Sequence, residues 1–210
     1  MDLSSITHPH IIPKMHRSCA SCVEIGGASI RTTAVASTDN YGSVHTLVKI
    51  FLSNTKNMKK IIDLSTERAQ KAGNQTKTVL LQLCDGDHCL IFKLPSDEDK
   101  IPVPVSLFNF LNLPDFTFVG IGINKTLENL ESEFGLTCNN AVEIGPSSWD
   151  LLNKTEESCR IVRRFISTTE PTSTVSDDWN DFSNGHNQVE LATANAYLAF
   201  IIGNMLMATY

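Results

Sequence analysis

Two β-prone runs, Thr78 to Leu83 and Cys89 to Leu94, flank an Asp85-Gly86 turn, and this hairpin constrains the fold more than any other stretch. Asp-Gly accepts the positive φ angles of a tight turn, so the two runs are expected to pair antiparallel. Lys60 to Leu64 is a short apolar run suited to a buried central strand, and Phe116 to Ile121 reads as the next strand. Helical spacing appears between and after them. Val44, Leu47, Val48, Ile50 and Phe51 predict an amphipathic helix ending near Ser53 and Asn54. Pro102 and Pro104 open a helix carrying Val105, Leu107, Phe108, Phe110 and Leu111, and Leu127, Leu130 and Phe134 mark another that Gly135 terminates. Val189, Ala192, Ala196, Leu198, Ala199, Ile202 and Leu206 give a long last helix after a turn at Asn184 and Gly185. Together these predict an α/β chain, a βββαβα domain closed by a C-terminal helix, with no internal repeat.

The flanks are less patterned. Met1 to Gly27 is rich in Ser, His, Pro and Cys without apolar periodicity and reads as a mobile tail, residues 1–27. The domain is then expected over residues 28–210, opening on an extended segment from Ala28 to Val35 where Thr32, Thr33 and Val35 favour a strand. A polar turn follows at Ser37 to Gly42, and Arg68 to Lys77 reads as a polar loop. Gly145 to Asp178 has helical potential from Trp149 to Phe165, then a Thr/Ser/Pro linker.

Composition bounds the function classes. With 210 residues, 41% hydrophobic and 19% charged, the chain suits one ordinary globular domain. Its longest apolar stretch, Ala196 to Ala208, is broken by Gly203 and Asn204 and falls short of the ~20 residues that cross a bilayer. The N-terminus lacks the basic start and apolar run of a secretory signal, so a soluble protein of the nucleus and/or cytoplasm, without a membrane partner, is expected. In a reducing compartment Cys19, Cys22, Cys84, Cys89, Cys138 and Cys159 remain mostly thiols, with Cys84 and Cys89 packing as small hydrophobes. A net charge of −6 means that nucleic acid must be met by a local basic patch rather than by the whole surface.

Three segments carry the chemistry: IIDLSTER (Ile61 to Arg68), FVGIGINKTLENLE (Phe118 to Glu131) and NQVELATANAYLAF (Asn187 to Phe200). In order, spacing and surroundings they resemble the three metal-binding motifs of the Werner-syndrome-type 3′–5′ exonucleases, a branch of the DEDD exonucleases on the ribonuclease H-like fold. The hairpin Thr78 to Phe92, the turn VSDDW (Val175 to Trp179) and Gln188 also match, so the resemblance covers roughly Ser29 to Leu206. It implies a mixed central sheet flanked by helices. In that family an Asp-x-Glu pair, an Asp on the helix after the second motif and an Asp on the last helix gather two Mg²⁺ or Mn²⁺ ions. Several carboxylates are needed there to offset the repulsion between two dications.

Carried over residue by residue, the first Asp is Ser65 and its partner is retained as Glu67, the one residual metal ligand. The second Asp is Thr126 and the third is Asn195. The Tyr that orients the attacking water is Leu191, and Glu190 stands where a sister branch has a His. Leucine neither donates nor accepts a hydrogen bond, and general acid–base assistance alone is typically worth ~100- to 10,000-fold in rate. No cofactor is therefore expected. Glu128, two residues beyond Thr126, is turned about 200° away on a helix and is expected to face solvent. Bringing Glu190 inward would expose Ala192, Leu198 and Ile202.

Other candidates have ordinary readings beside the sharp ones. Cys19 and Cys22 with His8, His10 and His16 have the ingredients of a zinc site but lack a second well-spaced pair. Arg160, Arg163 and Arg164 with Lys154 suit phosphates or a solvated helix face. Phe118, Trp149 and Phe165 suit base stacking or the core, and Trp179 suits packing of the last helix. The expectation is a 3′–5′ exonuclease-like pseudoenzyme that keeps binding to single-stranded or 3′-overhang nucleic acid, or a role with a protein partner or as a homo-oligomer. The alternative is an active metal-dependent exonuclease on 3′ ends of DNA or RNA, using Mg²⁺ or Mn²⁺.

Overall fold

The structure is a computed structural model and describes residues 18–36, 41–70, 76–96, 101–145 and 186–207. The expected segment from Trp149 to Phe165, Trp179, the cluster of Arg160, Arg163 and Arg164, and His8, His10 and His16 lie outside the described residues.

In chain order the elements are β1 (Cys19–Ile25), β2 (Ala28–Val35), α1 (Gly42–Ser53), β3 (Ile61–Gln70), β4 (Thr76–Cys84), β5 (His88–Lys93), α2 (Val105–Leu111), β6 (Thr117–Gly120), α3 (Ile123–Phe134), β7 (Ala141–Glu143) and α4 (His186–Leu206). The strands form one mixed sheet in the order β1-β2-β5-β4-β3-β6-β7. The Asp-Gly hairpin is present as expected, with β4 and β5 antiparallel and Cys84 opposite Cys89. Asp85 closes its turn by accepting from the amides of Asp87 and His88 at 3.0 and 2.7 Å.

Alternation along the strands sorts side chains into two cores. On one face Ile62, Leu64, Leu81, Leu83 and Phe92 pack under α1, α2 and α3. Phe110 sits at its centre, stacked on Phe51 at 5.6 Å and edge-on to Phe116 and Phe118 at 5.2 and 5.5 Å. Phe118 is fully buried there, so it belongs to the core and is closed to a stacking base. On the other face Ile30, Ile61, Leu80, Ile91 and Val119 are roofed by Val189, Ala192, Ala196, Ile202 and Leu206 of α4. Thr193 donates to the Val189 carbonyl at 2.7 Å, which leaves its oxygen to accept from Thr32 of β2 at 3.0 Å. Gly203 allows the close helix–sheet approach, because a Cβ there would meet Val119 Cγ2 at 2.5 Å.

Three expectations are corrected, and one strand is added to those expected. The tail does not extend to Gly27: Cys19–Ile25 is a strand paired with β2 across a Gly26-Gly27 turn whose φ angles are +58° and +88°. A two-glycine turn of this hand matches the twist of a hairpin, and the polar alternation of β1 concealed a strand solvated on one side. The loop expected from Arg68 to Lys77 is mostly strand, since β3 runs to Gln70 and β4 begins at Thr76. Arg68 makes that extension possible by donating to Thr78 Oγ1, Glu133 and the Thr76 carbonyl at 2.7, 2.7 and 2.6 Å. Strand β7, hidden in an unpatterned segment, holds α3 through Glu143, which accepts from the amides of Gly122 and Ile123 at 3.0 Å each. Finally, Gln188–Leu206 reaches the length and mean hydropathy, 1.3, of a bilayer-spanning helix. Half of that segment is buried against the sheet, which is what a helix roofing a core requires.

Candidate functional site

Strand β3 has Ile61 on the α4 face, so Asp63, Ser65 and Glu67 point to that face as well. Gln82 of β4 joins them across the ladder, where it is the direct partner of Ser65. Asn195, half-buried in the middle of α4, lies close enough to Glu67 to hold its carboxyl down. The fold thus brings together two of the residues singled out by the resemblance, Glu67 and Asn195, with Ser65 two residues along the strand. A register shift between Glu67 and Arg68 ends the regular pairing beside the cluster, and β-bulges commonly re-aim side chains at such places.

Asp63 was missed in the sequence reading. It is fully buried, and burial pushes its carboxyl well above the usual range against the lowering effect of the Ser65 hydroxyl. Ser65 Oγ lies 2.8 Å from Asp63 Oδ2 and 3.0 Å from Gln82 Oε1, yet a hydroxyl has one proton to give. Ser65 therefore donates to only one of these two oxygens at a time. Asp63 Oδ1 and Gln82 Nε2 remain buried without a partner of full hydrogen-bond geometry. The signal that could have found Asp63 is parity, since a charged residue two positions before Ser65 in an apolar run must share its face.

Glu67 is half-buried, and burial raises its carboxyl against the opposing pull of the nearby Gln82 and Asn195 amides. Thr126 is half-buried in the first turn of α3, and Leu191 is half-buried one turn before Asn195. Neither side chain makes a hydrogen bond to the cluster among the described residues. Glu128 is exposed and ion-paired with Lys125 at 2.9 Å, as its helical offset predicted. Glu190 is exposed too, so α4 keeps its apolar stripe inward. Cys84 and Cys89 are buried, as expected of small hydrophobes, and burial raises the Cys84 thiol. A cleft of about 360 Å³ opens at the other end of β3, between Met58, Lys59, Asp87, Tyr197 and Asn204, away from Glu67.

Among the described residues, the donor set around Glu67 does not fit a pair of divalent cations. Nowhere among the described residues do three His, Cys, Asp or Glu side chains converge on one point. Beside Glu67, Ser65 presents a hydroxyl and Asn195 an amide, which supply oxygen without charge.

The titration of Asp63 sets a pH dependence. Between the ordinary carboxylate range and its raised value, the folded chain holds a proton that the unfolded chain has released, so stability falls as pH rises through that window. Asp63→Asn removes this term while keeping a donor toward Ser65. The variant is expected to match the parent near pH 3 and to be more stable from about pH 4 upward. Denaturant melts across that range test it, and a variant less stable at pH 7 but equal at pH 3 refutes it.

The sequence matches no protein-family model and no curated protein. Solved structures are similar in fold. The catalytic core of RRP6 from Trypanosoma brucei superposes with a TM-score of 0.62 at 17% identity, covering 88% of this chain and 48% of that one. Escherichia coli RNase D, an exoribonuclease involved in structured RNA processing, gives 0.58 at 20% identity over 82% of this chain and 44% of that chain. Brucella melitensis NrnC gives 0.52 at 15% identity, over 73% and 75%. The chain therefore has the ribonuclease H-like fold of the 3′–5′ exonuclease domain, and it spans about half the length of RRP6 and RNase D. At these identities the likeness concerns the fold alone.

Proposed function

We propose that this chain is a 3′–5′ exonuclease-like protein of the Werner type whose metal site has degenerated, and that it binds single-stranded or 3′-overhang nucleic acid without cutting it. The observation that supports this reading is the neutral company at the positions singled out by the resemblance: Asn195 stands beside Glu67, and Ser65 hydrogen bonds within the protein toward Asp63 and Gln82. Ser65 and Asn195 offer oxygen without charge where two cations would need carboxylates. Its place of action on this reading is the nucleus and/or the cytoplasm.

The experiment is a titration of a fluorescent single strand at increasing salt, beside product analysis in Mg²⁺ and Mn²⁺. Expected are an affinity that falls steeply with salt and no shortening of the strand. Equal, negligible binding to all nucleic acids at low salt overturns the binding role and leaves association with a protein partner.

A second reading, an active metal-dependent exonuclease, draws support from Asp63, which raises the carboxylates on this face of β3 to two. It requires shortening of a 3′-overhang that EDTA abolishes and that Glu67→Gln removes. Burial of Asp63 away from solvent weighs against it.

A further inference from the structure

No strand lies beyond β1 among the described residues. Edge strands are usually defended by Lys, Pro or a bulge. Strand β1, Cys-Ala-Ser-Cys-Val-Glu-Ile, has neither Lys nor Pro, and its register with β2 runs without a shift from Cys19 opposite Ala34 to Ile25 opposite Ala28. Glu24 is its only charge, and that carboxylate already accepts from Ser29 at 2.5 Å.

Hairpin geometry says which backbone groups face outward. In a two-residue hairpin the residues flanking the turn, here Ile25 and Ala28, exchange hydrogen bonds, and bonded pairs then alternate with unbonded ones. Val23, Ser21 and Cys19 therefore bond inward to β2. Glu24, Cys22 and Ala20 direct their N–H and C=O groups away from it.

Cys22 is the middle residue of the strand, so an antiparallel partner related by a two-fold axis through Cys22 is in full register. Cys22 meets Cys22, Ala20 meets Glu24, Ser21 meets Val23, and Cys19 meets Ile25. No like charges oppose one another, and the outward groups of the three alternate residues complete about six hydrogen bonds between copies. We infer that β1 is a homodimer interface, in which a second copy of this chain adds its own β1 edge to edge and makes one continuous sheet.

The test uses the full chain in sedimentation velocity and hydrogen exchange over about 1 to 200 µM. Expected is a dimer in which the amides of Cys22 and Glu24 become protected as concentration rises. Cys22→Pro removes an outward N–H that no bond to β2 uses. It should leave the thermal melt of the dilute monomer unchanged and weaken dimerisation at least about tenfold, whereas Cys22→Ser should leave dimerisation as in the parent. A monomer throughout the range overturns the inference. So does a dimer indifferent to Cys22→Pro, which locates the interface elsewhere, or protection of Cys22 at every concentration, which assigns the edge to a segment of the same chain.

Discussion

Replacing Ser65, Thr126 and Asn195 together by Asp is expected to lower the melting temperature in EDTA and to make it rise with Mn²⁺, whereas the parent should be insensitive to the metal. The first half follows from adding carboxylates to a face that already buries Asp63 and half-buries Glu67. Like charges held in a poorly solvated cluster destabilise the fold unless a cation or a proton neutralises them. The second half follows from linkage. A ligand that binds only the folded state at about 100 times its Kd contributes about 2.7 kcal/mol, or roughly 5–10 °C for a chain of this size. Adding Glu67→Gln to the triple variant should remove most of that rise. If the parent itself gains several degrees in Mn²⁺, then Asp63 and Glu67 suffice to hold metal, and the case for a silent nuclease fails.

The largest loss of stability should come from Phe110→Ala. Phe110 is 1% exposed and touches three other aromatic rings, so truncation leaves a cavity between α2 and the sheet that surrounding side chains cannot all close upon. Such replacements typically cost about 3–5 kcal/mol. Guanidinium or urea melts should show a lower midpoint with an unchanged slope. A cost under about 1 kcal/mol would mean that the ring cluster is loosely packed. Because β3 contributes Ile62 and Leu64 to this same core while its other face carries Asp63, Ser65 and Glu67, a partial loss of packing here should also loosen the site. Binding of a single strand by the variant then tests whether site geometry depends on the opposite core.

The frame was legible because its signals are local. The Asp85-Gly86 turn, the apolar run before Leu64, the proline opening before Val105 and the stop at Gly135 are all contained within a few neighbouring residues. Gly135 is found in the left-handed conformation that ends α3, with φ of +66°. Where the pattern was weak, the reading failed. Strand β1 alternates polar and small residues with little apolar content, and its partner is reached only through the two-glycine turn. The last residues of β3 are polar because Arg68 and Glu133 tie them to α3, a contact between residues 65 positions apart.

The site shows the same division. The residue types at positions 65, 67, 126, 191 and 195 are read from the chain, and with them the shortage of negative charge. Asp63 was passed over because its significance is a matter of face and depth. Strand parity gives the face, while depth depends on α4, which returns from the far end of the chain to close over it. Sequence by itself determined the α/β order of elements and which residue types stand at positions 65, 67, 126, 191 and 195, because both are properties of residue identity and short-range spacing. Only tertiary structure decided that Asp63 is buried beside Ser65, that Asn195 stands beside Glu67, and that β1 ends the sheet among the described residues, because burial and hydrogen-bond partnership arise from segments brought together across the whole fold.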